Sequence, residues 1–190
     1  MSMLALQPLS DEALMERIIQ RDQQAFSILY DRYSGKLLSY FKRMLWNNHD
    51  LAEDCLQDLF MKIARQPELF DVSRSFRPWV YTVANNLCKM EYRKNSTRGT
   101  KISLDKTAEL ADNHVKITEK IDRKDFIHKL KEVLQTINEP HRSTFMMRYF
   151  DELSLKEISA IFECSEGTVK SRLFYTLRKI ATKLPQFKYA

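Results

Sequence analysis

Glycine is almost absent from this chain: Gly35, Gly99 and Gly167 are all it has in 190 residues, against a usual share of roughly 7%. Tight reversals between strands need positive φ, which glycine supplies without steric cost. A chain so short of it cannot make the many turns of a β-rich fold. Its five prolines also interrupt few helices. The expectation is an all-α protein of long helices joined by few loops, and a hydrophobic fraction of 44% is enough for packed cores.

Helix starts and apolar periods divide the first half. Ser10 is placed as an N-cap, with Asp11 and Glu12 in the positive first turn and Leu9 and Leu14 at the staple positions. Asp22 caps a second helix, along which Phe26, Leu29, Tyr30, Tyr33, Leu37, Tyr40, Phe41, Met44 and Leu45 form a core stripe. Asp50-Leu51-Ala52-Glu53 reads as a capping box for a third helix buried through Ala52, Cys55, Leu56, Leu59, Phe60 and Ile63. A loop from Gln66 to Ser75 follows. Pro78 then lies in the first turn of a fourth helix, with Phe76, Trp79, Val80, Val83, Ala84 and Leu87 as its apolar stripe. The division expected is a domain over 1–94, a polar linker over 95–120 and a second domain over 121–190.

The second half carries the sharpest local signal. Phe126, Ile127, Leu130, Val133, Leu134 and Ile137 mark one helix, and Phe145, Met146 and Tyr149 a short one. Ser154 and Glu157 then form a capping box, with Leu153 and Ile158 as the staple. That helix ends near Phe162, and Ser165 caps the next. A two-turn helix, a short turn and a longer basic helix make a helix-turn-helix. In its second helix Val169, Leu173, Leu177 and Ile180 are spaced for packing. Ser165, Thr168, Lys170, Ser171, Arg172, Phe174, Tyr175, Arg178 and Lys179 are the candidates to meet duplex DNA.

Two further surfaces stand out in the first half. Arg77, Tyr81, Asn85, Lys89 and Arg93 share an i, i+4 row, with Asn86 and Tyr92 beside it and Lys94, Arg98 and Lys101 extending the charge. Amides for base edges, aromatics for stacking and cations for phosphates suit melted DNA. The third helix instead turns Glu53, Asp54, Gln57, Asp58 and Met61 outward, a face suited to a basic protein surface or to plain solvation. The formal net charge of +6 agrees with a polyanionic partner without demanding one.

In this order the parts resemble the extracytoplasmic-function (ECF) sigma factors, small members of the sigma-70 family of bacterial RNA polymerase subunits. The segments 50–60, 76–87 and 154–180 are similar to the family's polymerase-binding, −10 and −35 segments. The resemblance implies a four-helix sigma2-like domain and a helix-turn-helix sigma4-like domain. It implies that Glu53, Asp54, Gln57, Asp58 and Met61 meet the β′ clamp helices of core RNA polymerase, and that the β flap is a further contact. It implies −35 recognition by the C-terminal helix. A −10 pocket would be built from the loop Phe70, Asp71 and Ser75 together with Asn85 and Asn86. Members are commonly held by an anti-sigma partner. No cofactor and no small-molecule substrate are implied.

The competing class is a conventional helix-turn-helix regulator acting without a holoenzyme, which would bind duplex DNA tightly alone. It has no reason to carry the acidic 50–58 helix followed by the 79–86 segment. An enzyme is disfavoured: His49, His114, His128 and His141 are scattered, and no phosphate loop or nucleophile–base pair is spelled out. Neither histidines nor cysteines have metal-ligand spacing. Cys55, Cys88 and Cys164 read as reduced thiols of a cytoplasmic protein. No N-terminal secretory signal is expected, nor any apolar run near the roughly 20 residues of a membrane span.

Overall fold

The computed structural model describes residues 9–97 and 123–185, and among these the regular structure is helical, with no strand. The chain divides into two compact units, Met1–Thr107 and Ala108–Ala190. The first contains α1 (Asp11–Ile19), α2 (Gln23–Met44), α3 (His49–Arg65), a 3₁₀ turn (Pro67–Leu69) and α4 (Phe76–Thr97). The second contains α5 (Arg123–Gln135), α6 (Glu139–Tyr149), α7 (Leu155–Ile161) and α8 (Glu166–Lys183).

In the first unit α2 is the spine, packed by α1, α3 and α4. It begins where Asp22 accepts from the N–H groups of Gln24 and Ala25 at 2.9 and 3.2 Å, satisfying donors that no helical carbonyl can reach. Its inner face buries Ala25, Leu29, Tyr33, Leu37, Tyr40, Phe41 and Met44 against Leu14, Met15 and Ile18 of α1 and Ala52, Leu59, Phe60 and Ile63 of α3. Tyr30 leaves the expected stripe: it is 41% exposed, with its ring 4.6 Å from Phe60. The start of α3 also differs. Asn48, not Asp50, is the N-cap, accepting from Leu51 N–H at 3.1 Å. Both residue types cap well, and the helix starts two residues earlier than the capping-box pattern suggests. Helix α4 runs to Thr97, three residues into the segment expected to be linker. The rest of that segment, with Arg98 and Lys101, lies outside the described residues.

Turns without glycine are made by residues forced into left-handed backbone. Arg21 (φ 67°) joins α1 to α2, Trp46 and Asn47 (φ 60° and 63°) join α2 to α3, and Glu163 (φ 49°) turns α7 into α8. Helix-to-helix joints need one or two such residues rather than a run of them, so glycine scarcity and an all-helical chain are compatible.

In the second unit α8 packs on α5, α6 and α7, and α6 buries Arg142, Ser143, Thr144, Phe145, Met146 and Met147 in succession. A helix buried nearly all round must satisfy its polar side chains internally. Ser143 donates to Glu139 at 2.7 Å and Thr144 to the Pro140 carbonyl at 2.7 Å. Tyr149, expected in that core, is exposed at the end of the helix. The capping box at α7 is complete: Ser154 accepts from Glu157 N–H at 3.2 Å, and Glu157 accepts from Ser154 N–H at 2.8 Å. Ser165 caps α8 through Thr168 N–H at 3.1 Å.

Candidate nucleic-acid interface

Helix α8 divides into two faces. Val169, Leu173, Thr176 and Ile180 are buried. Thr176 takes the inner place expected for Leu177, its hydroxyl donating to the His141 carbonyl of α6 at 3.5 Å. The outer face exposes Lys170, Ser171, Phe174, Tyr175, Arg178 and Lys179. Phe174 and Tyr175 are 60% and 57% exposed, with ring centres 5.7 Å apart. Large aromatics left in water on a cationic face form an apolar edge between positive charges, the combination that meets thymine methyls and phosphates in a major groove.

Four of the residues expected to meet duplex DNA serve the fold as well. The hydroxyls of Ser165 and Thr168 lie 3.1 Å apart within the cap. Arg172 is half-buried, its guanidinium 5.0 Å over the Phe162 ring, so it braces the turn rather than lying open along the groove wall. The Lys179 ammonium is 2.7 Å from the Thr136 carbonyl, where it opposes the negative end of α5. His141, beside Arg172, is held below its ordinary value by burial and by that guanidinium.

In the first unit the expected α4 row does not survive as a surface. Tyr81 and Asn85 are 1% and 2% exposed. The Tyr81 ring packs at 5.4 Å on Tyr40, whose hydroxyl donates to Asn85 Oδ1 at 3.2 Å. An i, i+4 row on a helix flanked by two others has a core side, and the middle of this row falls on it. Asn86 and Arg93 are exposed, while Arg77 and Lys89 are half-buried. Tyr92, placed beside the row as a stacking group, instead donates its hydroxyl to the Met44 carbonyl at the end of α2.

The loop before α4 is anchored from beneath. Phe70, expected in a base pocket, is 3% exposed, with ring centres 5.4 Å from Phe76 and 5.2 Å from Trp79. It supports the loop and does not line it. Asp71, Ser73, Arg74 and Ser75 are exposed above it. Asp71 accepts from Ser73 Oγ at 2.7 Å and from Ser73 N–H at 3.0 Å. Those two bonds, with Arg74 nearby, hold its carboxyl below the ordinary range.

Helix α3 matches expectation most closely. Glu53, Asp54, Gln57, Asp58 and Met61 are all exposed, while Cys55, Leu56, Leu59 and Phe60 face inward. Burial pushes the Cys55 thiol up to about 12, aided by Glu91, Asp58 and Asp54, so it is a packing group and not a nucleophile. Among the described residues no cluster of His, Cys, Asp and Glu could hold a metal ion, and no helix is long and apolar enough to cross a membrane. Sequence reading missed Glu12, Tyr40 and Phe162 as residues that position others. Their partners Phe76, Asn85 and Arg172 lie 64, 45 and ten positions away.

A four-helix unit with an acidic outer face, followed by a unit ending in a helix-turn-helix, defines a class of two-part DNA-binding protein. Comparison with known proteins places it further. The family model for Sigma-70 region 2 matches residues 29–98, and that for Sigma-70, region 4 matches residues 127–180. The chain is 28% identical over 167 residues to the ECF RNA polymerase sigma factor SigW of Bacillus subtilis, covering 84% of this chain and 88% of that one. It is 28% identical over 185 residues to the ECF RNA polymerase sigma-E factor of Haemophilus influenzae, covering 93% and 96%. Among solved structures it is similar to CnrH in complex with the cytosolic domain of CnrY, with TM-score 0.69 and 19% identity over 94% of this chain and 99% of that one. Sigma factor RpoE in complex with the anti-sigma factor NepR from Bartonella quintana gives 0.55 and 23%, over 78% and 89%. The chain belongs to the sigma-70 family, in its extracytoplasmic-function group, and is an alternative sigma factor.

Proposed function

We propose that the protein works in the cytoplasm by joining core RNA polymerase through α3, reading a −35 element as duplex through α8 and engaging a melted −10 element at the loop before α4. The observation that carries this reading is the presence, in one chain, of an exposed acidic face (Glu53, Asp54, Asp58) and an exposed cationic face edged by aromatics (Lys170, Phe174, Tyr175, Arg178). One repels phosphate and suits a basic protein surface such as the β′ clamp helices. The other attracts phosphate and fits a groove. Binding of the second unit to the β flap would leave α8 directed at DNA.

The chemistry is recognition only; the polymerase makes the bonds. Held on one polymerase, the two elements bind as a linked pair, and the second contact gains the effective concentration of an intramolecular step. At the −10 element the exposed Asp71, Ser75, Asn86 and Arg93, with Arg77 and Lys89 at the margin, are the groups able to meet an extruded base and its phosphates. Phe70, Tyr81 and Asn85 act beneath them. Extruding a base costs a few kcal/mol, which contacts to the flipped base offset. The CnrH and RpoE complexes support an anti-sigma partner for this chain as well.

Gel filtration with core polymerase, followed by transcription from a promoter library, tests the reading. Co-elution and promoter-dependent transcripts are expected, and the transcripts report the −35 and −10 sequences. Absence of core binding together with tight duplex binding by the protein alone would favour the regulator.

A further inference from the structure

Helix α1 lies outside the residues matched by the region 2 model, 29–98, yet it touches both ends of the loop assigned above to the −10 element. It packs against the 3₁₀ turn Pro67–Leu69 on one side and against α4 on the other. Two adjacent acids in its first turn make the polar contacts. Glu12 Oε1 accepts from the N–H of Phe76, the first residue of α4, at 2.9 Å. Asp11 accepts from the Tyr33 hydroxyl and, at 2.7 Å, from Arg32 of α2. Tyr33 in turn packs edge-on against Phe76 with ring centres 5.2 Å apart. Phe76 therefore has its backbone held by one acid and its ring steadied by a residue held by the other. Phe70 pairs with it from the far end of the loop.

We propose that α1 is a clasp on the 71–75 loop, with Glu12 as its positioning residue, so that it governs −10 engagement and leaves polymerase docking alone. This rests on the assignment of that loop to the −10 element. The loop's exposed residues are anchored by Phe70 and Phe76, so a shift of the α4 start carries Ser75 and Arg77 with it. Helix α3 also packs on the 3₁₀ turn and on α4, but its outward residues Glu53, Asp54 and Asp58 take no part in the Glu12 and Asp11 hydrogen bonds. The state of the carboxyl fits the arrangement: burial raises it, but hydrogen bonds from Phe76, its own N–H and Ser10 outweigh that and hold it below the usual value. The carboxylate is thus the resident form at neutral pH, although an uncharged acceptor of the same shape would also serve Phe76.

Full-length wild-type, Glu12→Ala and Glu12→Gln proteins, each assembled with core polymerase, test this on a promoter recovered from the library. Affinity for core and permanganate reactivity of −10 thymines are read side by side. Losing a capping hydrogen bond corresponds to about a five- to tenfold effect. Glu12→Ala is expected to lower −10 reactivity by that factor with core affinity unchanged, and Glu12→Gln, which keeps an oxygen for Phe76 N–H, to recover most of it. Equal reactivity in all three overturns the proposal. So does a parallel loss of core affinity or of folding in Glu12→Ala, or a Glu12→Gln protein no better than Glu12→Ala. If wild type itself neither binds core nor opens a promoter, the functional reading falls and the clasp with it. If wild type does both and the variants match it, the clasp alone falls.

Discussion

Replacing Asn85 by alanine separates two roles that a polar residue on a DNA-binding helix can have. Asn85 is buried, and its Oδ1 accepts from the Tyr40 hydroxyl at 3.2 Å within the core of the first unit. The substitution removes that acceptor where water cannot replace it. A lost partner of this kind costs about 1–3 kcal/mol. For a domain of this size each kcal/mol moves the thermal midpoint by roughly 4–8 °C, so the first unit is expected to melt roughly 5–20 °C lower. Calorimetry of the full-length protein measures this, and a double-mutant cycle with Tyr40→Phe assigns it. The pair should show a coupling of about 0.5–3 kcal/mol, since both changes break one bond. Binding to −10 single strands at a temperature where the variant is folded should change little. A variant that melts like wild type but loses single-strand affinity would refute the argument and return Asn85 to the DNA surface.

Four other outcomes follow from the surfaces and caps. Asp54→Arg reverses a charge at an exposed site on α3 and should abolish co-elution with core polymerase while leaving the circular dichroism melt within about 0.5 kcal/mol of wild type. Lys170→Ala and Arg178→Ala should each lower the salt slope of −35 binding by about one unit if they meet phosphates, measured by titrating holoenzyme across salt concentrations. Glu163→Gly relieves a left-handed non-glycine residue at φ 49° and should stabilise the second unit by up to about 1 kcal/mol, read from urea midpoints. Asp22 is held below its ordinary value chiefly by the Ala25 N–H, against a smaller opposing effect of burial, with further help from Gln24 and Arg17. Its stabilisation is therefore complete above the ordinary carboxylate range and lost as pH falls through the lowered native value. Asp22→Asn, which still caps, should flatten that acid limb of the stability curve.

What could be read from sequence was local. The capping box of Ser154 and Glu157, the Ser165 cap and the acidic face of α3 each depend on residues within four or five positions, and each was legible. What could not be read depends on the third dimension. A row such as Arg77, Tyr81, Asn85, Lys89 and Arg93 is defined by helical spacing, and spacing does not say which side of the cylinder meets a neighbour. Tyr40 decides that for Asn85 from 45 positions away. The family resemblance implies Phe70 as part of a pocket, but a loop needs an anchor, and the buried aromatic is that anchor. Lys179 read as one more cation, since nothing near it in sequence points to the Thr136 carbonyl. Asn48 and Asp50 are both good caps, and residue type alone does not choose between them.

The position of α1 has a consequence for truncation. A fragment cut at residue 29, where the region 2 match begins, would remove Leu14, Met15 and Ile18, which are almost wholly buried against the rest of the unit. At about 1.5–3 kcal/mol for each buried side chain, roughly 5–9 kcal/mol of burial would go, comparable with the whole stability of a small domain. The Asp22 cap on α2 and the Glu12 acceptor for Phe76 would leave with it. An autonomous form of this unit therefore has to begin no later than about Ser10, and that limit is set by the apolar face of a nine-residue helix rather than by the stretch that the region 2 model matches.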